Sequence, residues 1–138
     1  MSKVVSLRFQ ERQFARLRRL ARRLGRTPSE TGALLVEEAL RRAEFAYIDF
    51  RESPAGRQAY VTGTSLAVWE VVLVARAYDM GEARTAEHLA WPIVKVRAAL
   101  AYASAYPDEI VDVLEEHAEI DLGTLTRMMP ETTAFVAR

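Results

Sequence analysis

The strongest constraint on this chain is a strand with nothing beside it to pair with. Lys3-Val4-Val5-Ser6-Leu7-Arg8-Phe9 alternates in character. Val5, Leu7 and Phe9 fall on one face, and Val4, Ser6 and Arg8 on the other. An isolated strand can neither satisfy its backbone nor bury its apolar face. The same strand of a second chain is the natural partner. Two copies would form a symmetric two-stranded ribbon that presents Val4, Ser6 and Arg8 outward, a shape that fits the major groove of DNA.

Two helices are expected directly after the strand. Over residues 11–24, Phe14, Leu17, Leu20 and Leu24 recur on one stripe, with Arg12, Arg16, Arg19 and Arg23 on the other side. Gly25 supplies a C-cap. Thr27-Pro28-Ser29-Glu30 is a helix start: a threonine cap, proline at the first helical position and an acid three residues on. The second helix is expected to reach about Phe45, burying Leu34, Leu35, Ala39 and Leu40.

Charge is distributed unevenly along the chain. Its 138 residues carry no net charge, yet residues 1–26 hold nine basic side chains against Glu11 alone. Residues 107–138 hold eight acids against Arg127 and Arg138. A basic head calls for a polyanion and an acidic tail for a different partner or for solvent. A plain basic helical hairpin would explain the arginines as a solvated face, but it leaves the strand unexplained. There is no cysteine, which removes disulfides and thiolate ligands. Nothing approaches a membrane span or an apolar signal core, so a cytoplasmic protein is expected.

Residues 3–45 resemble the ribbon–helix–helix family of DNA-binding proteins, of the Arc/MetJ type. The match rests on Val5-Ser6-Leu7-Arg8-Phe9, the first helix, and Gly25-Arg26-Thr27-Pro28-Ser29-Glu30 opening the second. The resemblance implies that Val4, Ser6 and Arg8 read bases, with Val4 against a thymine methyl group. It also implies a phosphate anchored at the backbone of Thr27, Pro28 and Ser29, where free N–H groups and the helix dipole favour an anion. Lys3, Arg12 and Arg26 are expected on phosphates beside it.

Beyond residue 45 the pattern changes. Residues 46–51 and 58–61 read as two short strands, joined through turn-forming Glu52-Ser53-Pro54-Ala55-Gly56-Arg57. Thr62-Gly63-Thr64-Ser65 has the glycine and hydroxyls of a phosphate loop but not its lysine or second glycine. It reads as a turn into a helix. Helices are expected over residues 66–78, 82–89, 93–105 and 108–120. The first three of these suggest a helix-turn-helix arrangement, either a second DNA surface using Lys95 and Arg97 or a protein–protein platform.

The segments Gly56–Glu70, Thr85–Leu89 and Val96–Tyr102 together resemble a group of small bacterial domains regarded as VapB-type antitoxins. Members of that group are often encoded beside PIN-like, Mut7-C type toxins. The fold class expected is therefore mainly α. Residues 1–45 would form a ribbon–helix–helix DNA-binding and dimerisation domain with an intermolecular ribbon. Residues 46–120 would form a hairpin plus helix-turn-helix-like domain, and 121–138 a tail. Arg127, Met128, Met129 and Phe135 are the expected toxin contacts, unless the tail is a disordered end or folds back on its own domain.

His88 and His117 lack a second ligand at metal spacing. Glu37-Glu38 and Glu115-Glu116 are helix neighbours that point apart. No active site assembles, and no enzyme activity, metal or cofactor is expected. The partners implied are operator DNA, a PIN-like ribonuclease toxin and a second copy of the chain. The alternative is a stand-alone dimeric transcriptional regulator with a C-terminal oligomerisation domain. A third reading is a purely structural oligomerisation protein.

Overall fold

The computed structural model describes the backbone of residues 2–128, with the side chains of that range except 120–126 and 128. The chain is mainly helical, with a single two-stranded antiparallel sheet among the described residues. It divides into two compact units, Met1–Glu44 and Phe45–Arg138.

The first unit is a helical hairpin. Helix α1 spans Glu11–Leu24 and α2 spans Pro28–Glu44, and they pack on each other. The start of α1 is closed by Gln13, whose Oε1 accepts the Gln10 N–H at 3.1 Å. Its end is closed by Gly25 in the left-handed region, φ 65°, a conformation that costs glycine nothing. Thr27 Oγ1 accepts the Glu30 N–H at 3.1 Å and caps α2.

The expected N-terminal strand is not formed. Residues 2–10 lie outside any helix or sheet, and Val5 is 78% and Leu7 65% exposed. The physical reason is the one that made the strand conspicuous: a single chain offers it no partner edge. The expected packing of α2 is also corrected. Leu34 and Leu35 are half-buried, but Ala39 is exposed and Leu40 is 51% exposed. Among the described residues of this unit only Ala21, Thr31 and Glu38 are buried.

The second unit has a closed core. Strands β1 (Ile48–Ser53) and β2 (Gly56–Val61) pair from Ile48↔Val61 to Ser53↔Gly56. The turn is therefore only Pro54-Ala55, shorter than the six-residue turn read from composition. Gly56 at φ 101° and the Ser53 hydroxyl, which donates to the Gly56 carbonyl at 2.7 Å, close it tightly. Helices α3 (Val68–Arg76), α4 (Glu82–Leu89) and α5 (Ile93–Ala105) pack on one another, and α6 (Pro107–Met128) packs on α3 and α5.

At the centre lies Tyr102, fully buried with Val61, Val68, Val71 and Val96. The rings of Phe45, Phe50 and Tyr106 surround it at 5.4, 6.3 and 4.9 Å. Its hydroxyl donates to Glu109 Oε2 at 2.7 Å, which ties α5 to α6.

Helix α6 runs without a break to Met128, so the boundary expected at residue 120 falls inside a helix. Gly123 lies within it, and an interior glycine costs only about 1 kcal/mol. No helix among the described residues is long and apolar enough to cross a membrane.

Truncation of Tyr102 to alanine should cost about 3–5 kcal/mol. Tyr102→Phe, which keeps the ring but removes the donor to Glu109, should cost about 1–2 kcal/mol. Chemical denaturation followed by circular dichroism checks both values and their order.

Candidate nucleic-acid interface

The basic side chains of the first unit are solvent-facing. Arg8, Arg12, Arg16, Arg19, Arg22 and Arg26 are all exposed, and none has a carboxylate at ion-pair distance among the described residues. Arg18 lies over the Phe14 ring, 5.9 Å from its centroid. An open hollow of about 450 Å³ is lined by Arg16, Arg19, Leu20, Arg22 and Arg23. Like charges gathered along one helix repel one another, and they produce a positive field that a polyanion relieves.

Lys3, Val4, Ser6 and Arg8 all lie on the exposed N-terminal segment, with Val4 94% exposed. The apolar side chains that alternate with them are exposed too, so this segment carries both a polar and an apolar row. The start of α2 holds the second group. Thr27 takes the Glu30 N–H, Pro28 has no N–H to offer, and Ser29 is exposed. The Ser29 N–H is thus the donor left for an anion, with the positive helix end behind it. Glu30 in the first turn opposes that field and limits how strongly the end attracts phosphate.

In the second unit the two expected cations are set apart by their partners. Arg97 Nε donates to Glu82 Oε2 at 2.5 Å, an exposed pair that occupies it with a carboxylate. Lys95 is half-buried, and its side chain makes no hydrogen bond or ion pair among the described residues. Its Nζ lies 3.3 Å from the point that a Cβ on Gly63 would occupy. Arg127 is exposed near the end of α6. The Met128 side chain, Met129 and Phe135 lie outside the described residues.

Two features were not anticipated from the sequence. The first is Arg51. It forks onto Asp49 at 3.1 and 3.2 Å, donates to the Thr64 carbonyl at 2.6 Å and stacks on Tyr60 at 4.8 Å. Asp49 and Arg51 share a strand face at i, i+2, so their pairing could have been read from spacing. The Thr64 contact spans thirteen residues and left no such signal. The second is a cleft of about 220 Å³ beside Trp69. Trp69 Nε1 donates to Gln58 Oε1 at 3.2 Å, and its ring lies 4.8 Å from that of His117.

No protein-family model, no curated protein and no solved structure matches this chain. The functional reading therefore rests on the residues themselves.

Thr27→Ala should cost about 1 kcal/mol through the lost cap, and Thr27→Ser should recover most of it. Thermal unfolding of the three proteins side by side measures this.

Proposed function

We propose that this chain is the antitoxin of a type II toxin–antitoxin system. It dimerises through its N-terminal segment, binds operator DNA, represses its own operon and neutralises a PIN-like ribonuclease by direct binding. The observation that carries the reading is the character of the first unit: an arginine-rich α1 and an N-terminal segment whose Val5, Leu7 and Phe9 are exposed along with Ser6 and Arg8. A unit of this size cannot hide so much apolar surface alone. A second copy would cover Val5, Leu7 and Phe9 in a ribbon–helix–helix pairing and leave Val4, Ser6 and Arg8 facing the major groove. The arginines of α1 and the Ser29 N–H would then meet phosphates.

For the toxin, the acidic α6 and the residues after it form the proposed contact, with Arg127 reaching toward carboxylates in the nuclease cleft. A second reading, a stand-alone regulator whose second unit serves assembly, draws support from one observation. Helix α6 is already formed to Met128 in the single chain, where a segment that orders only on toxin binding would be less structured. The neighbouring reading frame separates the two. Co-expression of chain and neighbour should rescue growth if the neighbour is the toxin, and Arg127→Glu should weaken their co-purification. Rescue that does not depend on this chain would sink the antitoxin reading.

A gel shift on the DNA upstream of the chain's own frame tests the DNA half. With 6–10 phosphate contacts, affinity should fall roughly 10³–10⁵-fold between 50 and 200 mM salt. Arg8→Ala should cost about 1–3 kcal/mol and relax base preference. Leu7→Glu should give a monomer by sedimentation and abolish the shift, because two like charges would face each other in the ribbon. A salt-independent shift would be incompatible with this mode of binding.

A further inference from the structure

The turn between β2 and α3 is braced from every side, yet it keeps one edge free. Gly63 is the third residue of the Val61–Thr64 turn, with φ +77° as the third position of a type II turn requires. The Thr64 N–H donates to the Val61 carbonyl at 3.1 Å, and the Thr62 N–H to the Tyr47 carbonyl at 2.8 Å. Thr64 Oγ1 accepts the Leu66 N–H at 3.2 Å, and Arg51 holds the Thr64 carbonyl. These bonds leave the N–H groups of Gly63 and Ser65 without partners among the described residues. Ser65 is exposed and Lys95 Nζ sits against Gly63.

Lys95 stands in the first turn of α5, which carries no acid there. A cation at that end lies against the positive pole of the helix. Asp49 is paired with Arg51 and Glu82 with Arg97, and Glu70 accepts the Ala67 N–H. The Lys95 ammonium, the first turn of α5 and the Gly63 backbone thus lie side by side. Glycine at position 63 permits both the backbone conformation and the close approach of the lysine.

We propose that the Thr62–Ser65 turn and Lys95 form a second anchor for a backbone phosphodiester of DNA, in addition to the N-terminal unit. The proposal rests on the DNA-binding reading above. A phosphate oxygen would accept from Lys95 Nζ and from the Gly63 or Ser65 N–H, since turn amides can serve as anion donors. The contact is to phosphate, so it adds grip without choosing sequence.

The test is fluorescence anisotropy of the full chain on a labelled mixed-sequence duplex over a range of salt concentrations. For Lys95→Gln, the slope of log affinity against log salt should become shallower by about 0.9 for each phosphate that the protein no longer neutralises. Sequence preference should stay unchanged. Lys95→Arg should restore the slope. Ser65→Asp, which places a charge on the exposed turn without touching α5, should weaken binding in the same direction. Matching thermal unfolding curves exclude misfolding as the cause. A wild-type slope and affinity in Lys95→Gln overturns the anchor and leaves the N-terminal reading standing. A wild-type chain that binds no duplex at low salt overturns both.

Discussion

A phenol hydroxyl at the centre of an apolar core must find an acceptor, and in the second unit that acceptor organises everything around it. Tyr102 is fully buried, and its donation to Glu109 draws the first turn of α6 onto α5. A buried donor left unpaired would cost about 1–3 kcal/mol, so the two helices have little freedom to separate. The hairpin then packs through Phe50 and the chain entering it through Phe45, both against the same ring. One side chain therefore holds strand, connecting segment and two helices in register, and the β2–α3 turn takes its position from the hairpin so fixed.

The first unit obeys the opposite logic. Three of its four helix ends are closed, by Gln13, Gly25 and Thr27, but its apolar surface is not. Secondary structure here is specified locally, while Val5, Leu7 and Phe9 stay exposed. Were a second copy to cover them, as proposed, stability would depend on concentration. The same side chains that would make such a unit marginal alone would give it a defined pairing edge.

How much of this was legible in sequence follows the punctuation. The ends of α1, α4 and α5 were readable because Gly25, Gly81 and Pro92 mark them, and Thr27-Pro28 announces α2 unmistakably. The hairpin was readable, but its turn was overestimated: Ser53 and Gly56 look like loop residues, yet they form the last pair of the ladder. Gly123 and its threonines disguised the second half of α6 as a tail, because propensity is a weak prior over a helix already nucleated. For the candidate sites, the arginine face and the α2 cap were visible as spacing. The pairing of Arg97 with Glu82, the isolation of Lys95 and the brace from Arg51 to Thr64 depend on contacts across the fold, which no local pattern records.

The length of α6 has a mechanical meaning. Its 22 residues make a rod of roughly 33 Å, about the diameter of a small domain. The buried side chains described on it, Ile110 and Leu114, lie in its first half, as does His117, whose ring lies 4.8 Å from that of Trp69. Arg127 is exposed and stands ten residues beyond His117, roughly 15 Å along the axis. The contacts described between α6 and the core are thus separated from Arg127 by nearly three turns, and a substitution at that position should leave the Tyr102 core undisturbed.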